Sequence, residues 1–184
     1  MGARWEFGME PLVLGFAVIV LRFVGATTAA AAPLPKDACA LLTPAEIQAA
    51  LAPTATIGRG VPDASALPLG IECTYTWGPR TKEWGQSALT ILVLDASKSW
   101  PGLRPEVIQQ GLLLKAKHGG PGSSEIGGIG DAAVFTFETR SSNGTAEAYV
   151  KGKGVHVSVA FHGGSALQDK DKVIALLKKA TSRL

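Results

Sequence analysis

Cys39 and Cys73 are the only cysteines in a chain of 184 residues, and whether they bond to each other decides how the N-terminal third can fold. Residues 11–21 read PLVLGFAVIVL, without a charge, and are followed by Arg22 and a stretch of small residues ending in Ala29-Ala30-Ala31-Ala32. A membrane span needs about 20 apolar residues, so this shorter run has the length of a secretory signal's apolar region. We expect residues 1–32 to be a signal peptide, cut after Ala32 or Ala26, with a retained anchor as the alternative and Met1 or Met9 as the start. Residues 33–184 then form a single exported α+β domain, periplasmic or secreted. Two thiols in such a compartment normally end as a disulfide, so Cys39 is expected to pair with Cys73. A redox site would instead want a C-x-x-C spacing or an activated, exposed thiol.

The local patterns sketch an element order. In residues 42–47, LTPAEI, Thr43 can cap a helix, Pro44 suits its first position and Glu46 closes a capping box, with Leu42 and Ile47 placed as a hydrophobic staple. Residues 71–77 alternate, with Ile71, Cys73, Tyr75 and Trp77 facing one way and Glu72, Thr74 and Thr76 the other. Residues 87–95 are apolar on both faces and predict a central strand. Residues 97–117 read as a loop and then a helix burying Val107, Ile108, Leu112 and Leu114. Residues 119–130 are half glycine and predict a loop. Three further strands are expected over residues 134–139, 146–151 and 155–161, and a last helix over 165–182 burying Leu167, Val173, Ile174, Leu177 and Ala180. Short turns between strands mean an antiparallel sheet. The expected fold is thus α+β, with about five antiparallel strands packed on two or three helices as a two-layer sandwich.

The formal net charge of +3 is mild. Nucleic-acid binders carry a stronger, clustered basic bias, and the local basic excess over residues 151–184 fits the solvated face of a helix. Gly128-x-Gly130-x-x-Ala133 matches a dinucleotide fingerprint by letters, but that motif needs a strand before it and a helix after it. Here a Gly-Ser loop precedes and a strand follows, so we read Gly128 and Gly130 as turn glycines, with Asp131 bonding its own backbone. His156 and His162 share a strand face about 20 Å apart, too far to hold one ion together, and His118 stands apart. No metal and no cofactor is expected. The His-Gly-Gly triplets at His118 and His162 lack the G-x-S-x-G elbow of a serine hydrolase. Trp84 sits in a polar turn and, with Trp77 and Trp100, could line a groove; the plainer alternative is that Trp77 and Trp100 cap the core.

Residues 39–46, Cys-Ala-Leu-Leu-Thr-Pro-Ala-Glu, together with Cys73 and Gly128-Ile129-Gly130-Asp131-Ala132-Ala133, resemble a class of small exported bacterial proteins of unknown function, best known from lipoprotein-like members in actinobacteria. These open with C-x-L-L-T-x-x-E, carry a second cysteine on an early strand and place G-[LI]-G-D-x-A before a later one. The present chain lacks the lipid-bearing cysteine. The resemblance implies a sheet-and-helix sandwich, by analogy with the PsbP-type fold, and brings no catalytic residues. The expected role is a non-catalytic envelope domain, probed best at Trp84, Trp77, Trp100, Gly128, Gly130 and Asp131, that binds a protein partner or envelope polymer as a monomer without a stable membrane anchor. A small-ligand carrier or sensor, with a pocket between sheet and helices, is the alternative.

Overall fold

The computed structural model describes residues 33–63, 65–81, 85–163 and 166–184; residues 1–32, where a signal peptide is expected, and Trp84 lie outside them. A 3-10 turn, Ala38–Ala40, opens the described chain, with the Asp37 carboxylate accepting from Cys39 N at 2.7 Å. Helix α1, Pro44–Leu51, follows. Its capping box is complete: Thr43 Oγ1 accepts from Glu46 N, and Glu46 Oε2 accepts from Thr43 N at 2.8 Å. Leu42 and Ile47, the staple pair, are both fully buried. The elements then run β1 (Val61–Asp63), β2 (Gly70–Thr81), β3 (Gly85–Asp95), α2 (Ala96–Ser99), α3 (Pro105–His118), β4 (Ser124–Glu125), β5 (Ala132–Glu138), β6 (Asn143–Val150), β7 (Val155–His162) and α4 (Lys170–Ser182).

Among the described residues, all seven strands join one antiparallel sheet in the order β1-β2-β3-β7-β6-β5-β4. The five long strands are those that the sequence pattern predicts. The sheet is nevertheless wider than the expected five, because short edge strands form at both ends. β1 holds Pro62, which an edge strand tolerates, and pairs Val61 with Thr74; β4 pairs Ser124 with Phe135. Segments of two or three residues carry no period-two signature, and only the neighbouring strand makes them strands.

Helices cover both faces rather than one. On the first face, Cys73, Tyr75, Ile91, Val157 and Phe135 merge into one core with Leu41, Leu42 and Ile47 and with Val173, Leu176, Leu177 and Ala180 of α4. On the other, Leu112 of α3 packs with Ala132, Val134 and Tyr149. The cause lies in β5, which is buried at four consecutive positions, 132–135, as a strand covered on both sides must be. The two-layer expectation therefore gives way to a sheet between helices. Three further expectations shift: α4 begins at Lys170 rather than near 165, Leu167 is 38% exposed, and α2 adds a helical turn where a loop was expected.

Cys39 and Cys73 are bonded, with Cα atoms 5.2 Å apart. Cys73 is fully buried and Cys39 partly so. The bond lies within a wider tie. The Tyr75 hydroxyl donates toward the carbonyls of Cys39 and Leu42, and Arg183 donates to Leu41 O and, through both terminal nitrogens, to the Glu46 carboxylate at 2.6 and 2.8 Å. Burial, followed by the Asp37 and Glu46 charges, pushes the Tyr75 hydroxyl up to about 12. Arg183, then the Thr43 amide, hold the Glu46 carboxyl far below the usual range. Such a disulfide is characteristic of proteins that fold in an oxidising compartment. Among the described residues, no helix is long and apolar enough to cross a membrane.

Candidate functional site

Between α3 and the sheet lies a cavity of about 290 Å³. Its wall comes mostly from one stretch of chain. Asp95 caps α2 by accepting from Ser97 N and Lys98 N, and so sets Trp100 at the end of that turn. Pro105 then starts α3, which presents Val107, Ile108 and Leu112 to the cavity, while Leu103 forms its outer rim. Val107, expected to be buried, is 40% exposed, and Leu103 is 48% exposed. These are apolar side chains without full cover at the mouth of a hollow. Leu114, also expected in the core, is 49% exposed on the helix.

Gly111 stands in the middle of α3 and lines the same hollow. A Cβ built there would meet nothing within 4 Å, although glycine inside a helix costs about 1 kcal/mol relative to alanine. No close packing or positive φ requires it. What its missing side chain does is keep that wall thin.

The polar members of the lining are His156 and Lys115. His156 projects from β7, where it pairs with Tyr149 of β6 and Leu94 of β3, and is only 5% exposed. The Trp100 ring stands edge-on to it at 5.4 Å. Among the described residues, neither imidazole nitrogen has a hydrogen-bond partner. Glu147 Oε1 is the nearby acceptor, 3.8 Å from Nε2, but Lys115 Nζ holds that carboxylate by both oxygens at 2.9 and 2.8 Å. Burial pushes the His156 pKa down, with Glu147 opposing and Lys115 adding to the shift, so the ring is neutral at pH 7. The result is an apolar hollow with a lysine at one side and an unsatisfied imidazole in its floor.

A second depression, more open and more polar, lies at the far end of the same sheet face. Two cross-strand rows build it: Thr136 beside Thr145, and Glu138, Asn143 and His162 in line across β5, β6 and β7. Burial lowers the His162 pKa as well.

The described residues among those singled out from the sequence are scattered by the fold. Trp77 stacks on Phe161 in the core, with ring centroids 5.8 Å apart, on the face opposite Trp100. The two tryptophans therefore share no groove, and of this pair it is Trp100 that lines the cavity. Gly128 and Gly130 do adopt positive φ, and a Cβ on Gly130 would strike the Tyr149 carbonyl. Asp131, expected to bond its own backbone, instead accepts from Lys151 N at 2.7 Å and fastens the loop to the end of β6. Lys170 ties the preceding glycines to α4 through Gly122 O and Ser124 Oγ. His156 and His162 share a face, as read, but line different hollows. Among the described residues, no three His, Cys, Asp or Glu side chains gather as a metal site. The pattern gave no sign of Lys115, Glu147 or Gly111; a glycine inside an otherwise regular helix was the available signal.

Compared with known proteins, the chain matches no family model, no curated protein and no solved structure.

Proposed function

We propose that this chain is an exported, non-catalytic binding domain that holds a small apolar ligand in the cavity beneath α3. The observation that carries the reading is the combination of exposed Leu103 and Val107 with the orphaned nitrogens of buried His156 around one hollow. Ligand pockets are apolar concavities with a few convergent polar groups, commonly of some 300–1,000 Å³, and this one sits at the small end. Unpaired buried polar atoms cost free energy and call for a partner. The disulfide and the apolar segment 11–21 support export, and the start over residues 39–46 supports kinship with the lipoprotein-like exported domains that it resembles. Saturation-transfer NMR with indole and octan-1-ol tests the reading. Transfer is expected from the wild-type protein and not from Gly111→Leu, which fills the hollow; equal transfer from both would sink it. A second reading, binding of a protein partner or envelope polymer, is favoured by the polar rows at Thr136–Thr145 and Glu138–Asn143–His162, which suit a hydroxyl-rich chain laid across the strands.

A further inference from the structure

We infer that the ligand beneath α3 is a small apolar carboxylate of about ten heavy atoms, its acid group held by Lys115; the inference rests on the proposed pocket. Size sets the first limit. At the ~30 Å³ that a water molecule occupies, a cavity of about 290 Å³ accommodates roughly ten non-hydrogen atoms, one short acyl chain or one substituted ring.

Charge sets the second. Among the described residues, the one charged side chain in the lining is Lys115, and no carboxylate lines the hollow. Glu147 lies behind the lysine, its side chain 12% exposed, whereas the Lys115 side chain is 50% exposed. An ammonium carries three donors. The two contacts to Glu147 aim the lysine and leave a donor for a second acceptor, so an anionic head fits where a cationic one would meet like charge.

The third argument comes from His156. While Lys115 grips both oxygens of Glu147, the carboxylate stays 3.8 Å from His156 Nε2 and the imidazole goes unsatisfied. A ligand carboxylate that draws the ammonium toward the cavity loosens that grip. Glu147 Oε1 then has a short way to move to accept a hydrogen bond from Nε2. Binding in this manner gives the buried imidazole a partner, which a neutral ligand that leaves Lys115 in place does not do.

Octanoate and octan-1-ol form a matched pair for the test, with the same chain and different heads. Their affinities for the full protein are measured by titration calorimetry at low salt. Octanoate should bind about ten-fold more tightly or better, the size of one charge-assisted hydrogen bond. Lys115→Met should bring the two within about three-fold, and Gly111→Leu should remove both, with thermal melts verifying that each variant folds. Octan-1-ol binding as tightly as octanoate, with both lost in Gly111→Leu, would overturn the carboxylate inference and leave the pocket standing. Failure of both ligands to bind the wild-type protein at millimolar concentration would overturn the pocket along with it. The wild-type comparison decides the inference even if a variant does not fold.

Discussion

A histidine buried with both nitrogens unpaired makes stability depend on pH in a defined direction. The folded state holds His156 neutral, with its pKa below the ordinary value, while the unfolded chain takes up a proton near pH 6.5. Its contribution is therefore complete above that value and is lost as pH falls through it toward the folded pKa, at up to about 1.4 kcal/mol per pH unit for one proton. His162 acts in the same sense. Glu46, whose pKa is depressed, adds its own loss only below the ordinary carboxylate range, near pH 4.5. Urea unfolding at about pH 8 and pH 5.5 should show the wild-type protein weakening in acid, and His156→Phe weakening distinctly less. An equal loss in both proteins would mean that the imidazole is not held neutral.

Among the elements, the 3-10 turn at Ala38–Ala40 is the piece that covalent chemistry fastens. It has too few residues to persist alone, and what keeps it on the sheet is the bond from Cys39 to Cys73, backed by the Tyr75 hydroxyl. Reduction frees a loop of 34 residues and should cost about 2–4 kcal/mol, seen as a lower urea midpoint in dithiothreitol. An unchanged midpoint would place the anchoring in Tyr75 and Arg183 instead. This region was also the most legible in the sequence, since Thr43, Glu46, Leu42 and Ile47 act within one turn of each other and Cys73 follows a strict alternation. The positions of the edge strands β1 and β4 were not legible, because pairing with a neighbour rather than local periodicity creates them. Nor was the cavity. Trp100, Lys115, Glu147 and His156 lie on four separate elements, and nothing in the spacing of one announces the others. Val107 shows the limit well: its apolar character fits a helix stripe, yet what faces it is the mouth of a hollow rather than a neighbouring core.

Across the whole molecule, β7 holds the two halves together. The hairpin β2–β3 and the pair β5–β6 do not touch as neighbours in the sheet; β7 lies between them, in register with β3 from Ala88↔His162 to Asp95↔Val155 and with β6 from Asn143↔His162 to Val150↔Val155. Chain order thus runs against spatial order, since the strand that joins the halves is made after all the others. A ribosome-held chain stopped before Val155 should be cut readily by protease within both halves, and one extended past Ser182 should resist; protection of the shorter chain would show that a half folds alone. Under the export proposed above, the chain would pass a narrow channel as an open thread, and a keystone that arrives last keeps such a thread from closing too soon.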